Sequence, residues 1–284
     1  MEPASIRQVP PLPELIRLGL IGALLGLAII AWVVADERMT GMDLGPGTAR
    51  DPGTLGFWLG SWVVMMAAMM FPSIAPMVLM QRRMQQAKHE RGRPADAAAT
   101  PLFVGGYLLV WSAVGLVAYV ILWAGHEAAP GFLAWDEAGP HVAGGAILFA
   151  GIYQLTPLKD VCLSKCRSPF EFLLTAWRPG RVGALRMGVE HGAWCVGCCW
   201  ALMVSLIALG VMSVGWMVFI AALIAIEKLL PWKAVANRSI ALLLVSLGLA
   251  VAFIPEDVPG LTVPSDASVP GMHMDDHSMR SPAM

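Results

Sequence analysis

The chain reads HGAWCVGCCW over residues 191–200, at the start of a long apolar segment. On a helix that turns about 100° per residue, Cys195 lies about 40° from His191 and Cys198 about 20° to the other side, with Cys199 about 80° away. One imidazole and three thiols therefore share one face of a helix. Zinc, copper and iron–sulfur centres select these ligands. Small cysteines also ease helix packing in membranes, but three of them with a histidine on one face favour a metal site.

The composition predicts an all-α polytopic membrane helix bundle. Hydrophobic residues make up 57% of the 284 residues and charged residues only 14%, whereas a soluble domain carries roughly 25% charged residues. The net charge of −1 gives no argument for nucleic-acid binding. Apolar runs of about 20 residues predict about seven transmembrane helices, although six are possible because the last three runs are short or closely joined. The runs are 15–35, 57–80, 102–124, 141–158, 189–211, 213–230 and 234–254.

Lysine and arginine predict the orientation of this bundle. They are concentrated between the second and third runs, between the fourth and fifth, and between the sixth and seventh, whereas residues 125–140 contain neither. Because cytoplasmic loops carry the excess of Lys and Arg, we expect the N-terminus inside and the C-terminus outside. The expected domains are a cytoplasmic leader at 1–14, a transmembrane helical domain at 15–254 with a retained first segment, and a disordered extracytoplasmic tail at 255–284.

The remaining cysteines are expected at the cytoplasmic end of the same bundle. Cys162 and Cys166 follow the fourth run and are four residues apart, so a helical turn would point both thiols the same way. Glu227, beside Lys228, closes the sixth run at that end. It is either a member of an interfacial ion pair or a metal ligand. The strongest candidate ligands are Cys195, Cys198 and Cys162, followed by Cys166, Cys199 and His191.

Two methionine-rich stretches add soft ligands. The second run contains a methionine stripe that includes Met66, Met69 and Met70. Thioether sulfur prefers Cu(I), although methionine is also a flexible core filler. The tail beyond Pro270 offers further His and Met side chains, which could capture copper loosely or simply be solvated. These tail residues are Met272, His273, Met274, His277 and Met279.

Four motifs together resemble a known family. They are AMMFPS at 68–73, CLSKCRSP at 162–169, HGAWCVGCCWALM at 191–203 and IEK at 226–228. In order and spacing they resemble the bacterial family of predicted metal-binding integral membrane proteins, a domain of unknown function, over roughly residues 57–232. The resemblance implies a multi-pass inner-membrane protein with a metal site. The site residues that it implies are Cys162, Cys166, His191, Cys195, Cys198, Cys199 and Glu227.

Three functions compete on this evidence. The first is the handling of Cu(I) by transport, storage or delivery for cuproprotein assembly, with membrane lipid and a copper chaperone or cuproprotein client as partners. No Gly-rich ATP-binding loop is present, which argues against a primary pump. The second is a thiol-based membrane oxidoreductase, which the reducing cytoplasmic side disfavours. The third is a sensor or scaffold with a structural zinc site. We therefore prefer copper over zinc and a binding protein over an enzyme, and the oligomeric state stays open.

Overall fold

The computed structural model describes residues 14–39, 53–89, 96, 98–128, 137–210, 213–258 and 261. Within these residues all regular secondary structure is α-helix or 3-10 helix. The chain forms a bundle of long helices with two short helices, α5 and α6, at one end. The α-helices are α1 Glu14–Met39, α2 Leu55–His89, α3 Ala99–Ala128, α4 Gly139–Tyr153, α5 Pro157–Arg167, α6 Pro169–Ala176, α7 Gly180–Gly210, α8 Val214–Leu229 and α9 Lys233–Phe253.

The predicted apolar runs become helices, which confirms the all-α fold. In the described residues α1, α2, α3, α7 and α9 are long and apolar enough to cross a membrane. The sixteen residues of α8 extend only about 24 Å, less than the roughly 30 Å hydrocarbon core of a bilayer. The count of seven spans therefore stays a prediction.

The fourth run is not one straight helix, and the structure corrects its predicted end at Leu158. The helix α4 stops at Tyr153 and the chain restarts in α5 after a bend of 69°. Thr156 caps the new helix because its side chain accepts a hydrogen bond from the Lys159 backbone N–H at 3.3 Å. Pro157 occupies the first turn, where its missing N–H is not needed. The bend turns the cysteines of α5 toward α7.

Two helix pairs cross closely because glycines face the partner backbone. A Cβ at Gly106 of α3 would lie too close to the Leu185 carbonyl of α7, and a Cβ at Gly188 of α7 would collide with the Phe103 backbone. Gly144 and Gly248 bring α4 and α9 together in the same way. Small residues at crossings let helix backbones approach, as is common in membranes. These crossings hold α3 against α7 and α4 against α9.

The helix α2 is fastened to α3 through two tryptophans. The Trp58 indole donates to the Gly115 carbonyl at 2.9 Å, and the Trp62 indole donates to the Trp111 carbonyl at 2.8 Å. Despite its two internal prolines, α2 continues as one helix of 35 residues. The buried face of α2 therefore reaches from these tryptophans to the neighbourhood of α8.

The short helices close one end of the bundle. The helix α6 packs against the bundle through Phe172 and Leu173, which are buried. Arg167, at the end of α5, donates to the carbonyls of Glu227 and Leu230 and so caps α8. This contact satisfies backbone acceptors that a helix C-terminus leaves unpaired. It also holds the end of α5 against the end of α8.

Beyond α9, the start of the segment predicted as a disordered tail forms a 3-10 turn at Pro255–Asp257. The side chains of Val258 and Leu261 are buried. The His/Met cluster of that tail lies outside the described residues.

Candidate metal centre

Three thiols from two helices form a compact cluster. The Sγ atoms of Cys166 on α5 and of Cys195 and Cys198 on α7 all lie within 4.8 Å of one another. Cys198 and Cys166 are 3.7 Å apart. Three sulfurs placed about 2.3 Å from one metal ion would be about 4.0 Å apart in a plane, or about 3.8 Å apart in a tetrahedron. The geometry therefore fits one thiolate-bound metal ion with small adjustments, and we name these residues the three-sulfur site.

The local structure explains how α5 and α7 bring these sulfurs together. Cys195 and Cys198 are three residues apart on α7, so they occupy adjacent positions on one face. Gly197 lies between them, and a Cβ there would be only 2.6 Å from the Cys162 sulfur. The missing side chain lets α5 rest against α7. Cys166, one turn along α5, then reaches the level of the two α7 thiols.

Cys162 and Cys199 lie beside the three-sulfur site but outside it. Cys162 is buried against Gly197, and its position four residues before Cys166 carries it about 6 Å along the axis of α5. The Cys199 sulfur is 4.0 Å from that of Cys195, but it does not lie within 4.8 Å of all three sulfurs. Cys162, which the sequence ranked above Cys166, is thus the thiol on α5 that the cluster leaves out.

His191 is buried one turn before Cys195, but it does not belong to the three-sulfur site. Its ring lies among the rings of Phe103, Tyr107 and Phe172, at centroid distances of 6.0, 6.0 and 5.2 Å. Within the described residues its Nδ1 atom has no hydrogen-bond partner. This nitrogen can therefore act as a ligand to a metal ion, in a pocket whose walls are aromatic.

Two polar groups that the sequence did not identify as site residues contact the Cys195 sulfur. The Lys228 Nζ atom donates to it at 3.2 Å, and the Tyr107 hydroxyl lies at 3.1 Å. An ammonium group beside a thiol favours the thiolate, which is the form that binds metal. The position of Lys228 at the end of an apolar helix was a signal for it, but nothing in the sequence distinguished Tyr107.

Glu227 faces an ammonium group. Its Oε2 atom lies 2.6 Å from the Lys159 Nζ atom, and both side chains are 1% exposed. Lys159 therefore supplies the partner for Glu227, and Lys228, the next residue in the chain, points to the cysteines instead. The pair joins α5, the helix that carries Cys166, to α8.

The predicted methionine ligands on α2 are buried in the core. Met66, Met69 and Met70 are at most 4% exposed. The Met70 sulfur is 3.9 Å from the Ser73 hydroxyl, which in turn accepts a hydrogen bond from Lys228 at 3.2 Å. Polar contacts thus link the methionine face of α2 to the three-sulfur site. The predicted tail ligands lie outside the described residues: Met272, His273, Met274, His277 and Met279.

Comparison with protein families shows the family to which this chain belongs. The sequence model of a family described as PpoB2, copper chaperone, matches residues 59–251, about two thirds of the chain. The chain belongs to this copper chaperone family. The matched range contains all five cysteines and extends beyond the region of the sequence resemblance. No match is found among curated proteins or solved structures. The family and the cysteine cluster together support a role in copper handling.

Proposed function

We propose that this protein binds Cu(I) at the three-sulfur site within a membrane and delivers it to a cuproprotein. The observation that carries the proposal is the convergence of Cys166, Cys195 and Cys198 within 4.8 Å. Membership of the copper chaperone family supports copper as the metal. Thiolates are soft ligands that bind Cu(I), zinc and iron–sulfur clusters, so the family is the observation that favours copper among these metals.

The number of ligands favours Cu(I) over structural zinc. Structural zinc sites are almost always four-coordinate. Among the described His, Cys, Asp and Glu residues, no fourth ligand atom lies within 4.8 Å of all three sulfurs. Three thiolates suffice for Cu(I), which accepts low coordination numbers. The Cys199 sulfur, 4.0 Å from that of Cys195, provides a neighbouring ligand through which the ion can exchange without leaving the protein.

The helix surfaces support placement in a membrane. Large apolar side chains are exposed on α1, α3 and α9, including Ile29 at 63%, Ile121 at 64% and Leu242 at 71%. Exposed apolar surfaces of this kind mark contact with lipid or with a partner. We assign the protein to the bacterial inner membrane, with its N-terminus inside and its C-terminal tail outside. In that orientation the tail would meet copper first and the thiols would hold it more tightly.

An ion pair joins two of the connections that are predicted to be cytoplasmic. Asp96, between α2 and α3, pairs with Arg181 at the start of α7 at 2.9 Å. The backbone N–H of Ala98 and the Arg181 guanidinium lower the pKa of Asp96 below its ordinary value of 3.8. The two connections predicted to be cytoplasmic therefore meet at one end of the bundle.

The experiment is elemental mass spectrometry of detergent-purified protein prepared anaerobically under reduction. We expect about one copper per chain in wild type, a lower copper content in Cys166→Ser because one of the three thiolates is gone, and an unchanged content in Cys162→Ser, a matched control one turn away on the same helix. A truncation after Pro270 tests the contribution of the tail. Zinc at the same stoichiometry would support the structural scaffold instead. A folded protein without metal would overturn the proposal and leave thiol redox chemistry as the better hypothesis.

A further inference from the structure

Lys228 is a positive charge built into the edge of the three-sulfur site. Its ammonium lies 3.2 Å from the Cys195 sulfur and 3.2 Å from the Ser73 hydroxyl. In the described part of the chain, Lys228 forms no ion pair with a carboxylate. Glu227, the adjacent acid, is engaged by Lys159. The charge of Lys228 therefore acts on the sulfurs and on whatever ion they hold.

The charges around the site balance for a monovalent ion. Three thiolates contribute −3, and Lys228 contributes +1. Arg167, which follows Cys166 in the chain and binds the end of α8, contributes another +1. The buried pair of Lys159 and Glu227 sums to zero. One Cu(I) ion brings the total to zero, whereas a divalent ion leaves +1. A net charge is costly where water is excluded.

We propose that Lys228 is a specificity-determining residue that favours Cu(I) over divalent ions such as Zn(II) at the three-sulfur site. The inference rests on the proposed function of that site. A metal bound to Cys195 would lie about 5 Å from the ammonium, because a metal–sulfur bond of about 2.3 Å and the sulfur–nitrogen distance of 3.2 Å meet at an angle at the sulfur. Repulsion at that separation is twice as strong for a divalent ion as for a monovalent one. Ser73 keeps the ammonium in place because it accepts a second hydrogen bond from it.

The test is the ratio of Cu(I) to Zn(II) affinity, measured anaerobically by competition with chelating probes. Both ions bind the same thiolates, so any change in how readily the cysteines lose their protons cancels in the ratio. For Lys228→Met we expect the ratio to fall at least tenfold. This fall is the lower bound expected from the extra repulsion of a divalent ion by one unit charge about 5 Å away, at an effective dielectric constant of about 20 to 40. Lys228→Arg keeps the charge, and its ratio should stay within about threefold of wild type.

The matched control is Lys165→Met. Lys165 immediately precedes Cys166, but its ammonium is paired with Glu171 at 2.8 Å and is partly exposed to solvent. Its removal should leave the ratio unchanged because solvent screens exposed charges. If Lys228→Met does not fold, Ser73→Asp provides the second test, since it neutralises Lys228 without deleting it and should also lower the ratio.

An unchanged ratio in a folded Lys228→Met or Ser73→Asp protein that still binds copper at the three cysteines overturns this inference alone. An equal fall in the Lys165→Met control does the same, because it would show a long-range effect of net charge. If Cys166→Ser binds copper as well as wild type, the proposed function itself fails. The two failures are therefore distinguishable.

Discussion

The buried ion pair between α5 and α8 permits a quantitative prediction. Glu227→Gln removes the carboxylate that lies 2.6 Å from Lys159 and leaves the lysine buried, with 1% of its side chain exposed. Breaking a buried pair from one side typically costs about 3 to 5 kcal/mol, because the remaining charge has lost its compensation. Arg167 binds the backbone carbonyl of residue 227, which the substitution does not alter. The loss should therefore be local to the contact between α5 and α8.

Unfolding of the detergent-solubilised variant by heat and by denaturant measures this cost. The matched control is Glu171→Gln, which removes the acid of the partly exposed pair with Lys165 and should cost at most about 1 kcal/mol. Copper affinity should also fall in Glu227→Gln, because α5 carries Cys166. The double variant Lys159→Met/Glu227→Leu should recover most of the stability, since an apolar pair of similar volume replaces the charges. A Glu227→Gln variant as stable as the Glu171→Gln control would refute the reasoning.

Three further predictions concern the neighbouring packing and charges. Gly106→Ala should cost about 1 to 3 kcal/mol by forcing α3 away from the α7 backbone, whereas Gly105→Ala, with open space around its Cβ, should be neutral or stabilising in the same thermal assay. Tyr107→Phe should weaken Cu(I) binding up to about tenfold by removing the hydroxyl beside Cys195; Tyr119→Phe, whose hydroxyl lies at the exposed surface, should not. Because the pKa of Asp96 is lowered, its contribution to stability is present above about pH 3.8 and is lost as the pH falls through the folded-state pKa. Unfolding temperatures measured from pH 6 to 3 should therefore fall less in Asp96→Asn than in wild type.

The helices were predictable because apolar length is a strong signal. The runs at 57–80 and 234–254 lie within or almost within α2 and α9, because a long apolar segment has no other way to satisfy its backbone in lipid. The bend between α4 and α5 was not predicted, because the fourth run was extended to Leu158 through the polar residues Gln154 and Thr156. Thr156 is the residue that caps α5. Capping is a local interaction that apolar length does not report.

The composition of the three-sulfur site was predictable in part. Spacing on one helix identified Cys195 and Cys198 as a pair, because residues three and four apart are neighbours. It could not decide between Cys162 and Cys166, because that choice depends on the level at which α5 meets α7. It also could not pair Glu227 with Lys159, which lies 68 residues away in the chain. Contacts between helices, and not the pattern within any one helix, determine these relations.

The central claim is that Cys166, Cys195 and Cys198 together hold one Cu(I) ion, and X-ray absorption spectroscopy of the copper-loaded protein tests it most directly. The number of sulfur neighbours around copper should be three in wild type, fall to two in Cys166→Ser and stay at three in Cys162→Ser. Copper bound by nitrogen or oxygen atoms, or a sulfur number that falls in Cys162→Ser and not in Cys166→Ser, would contradict the account.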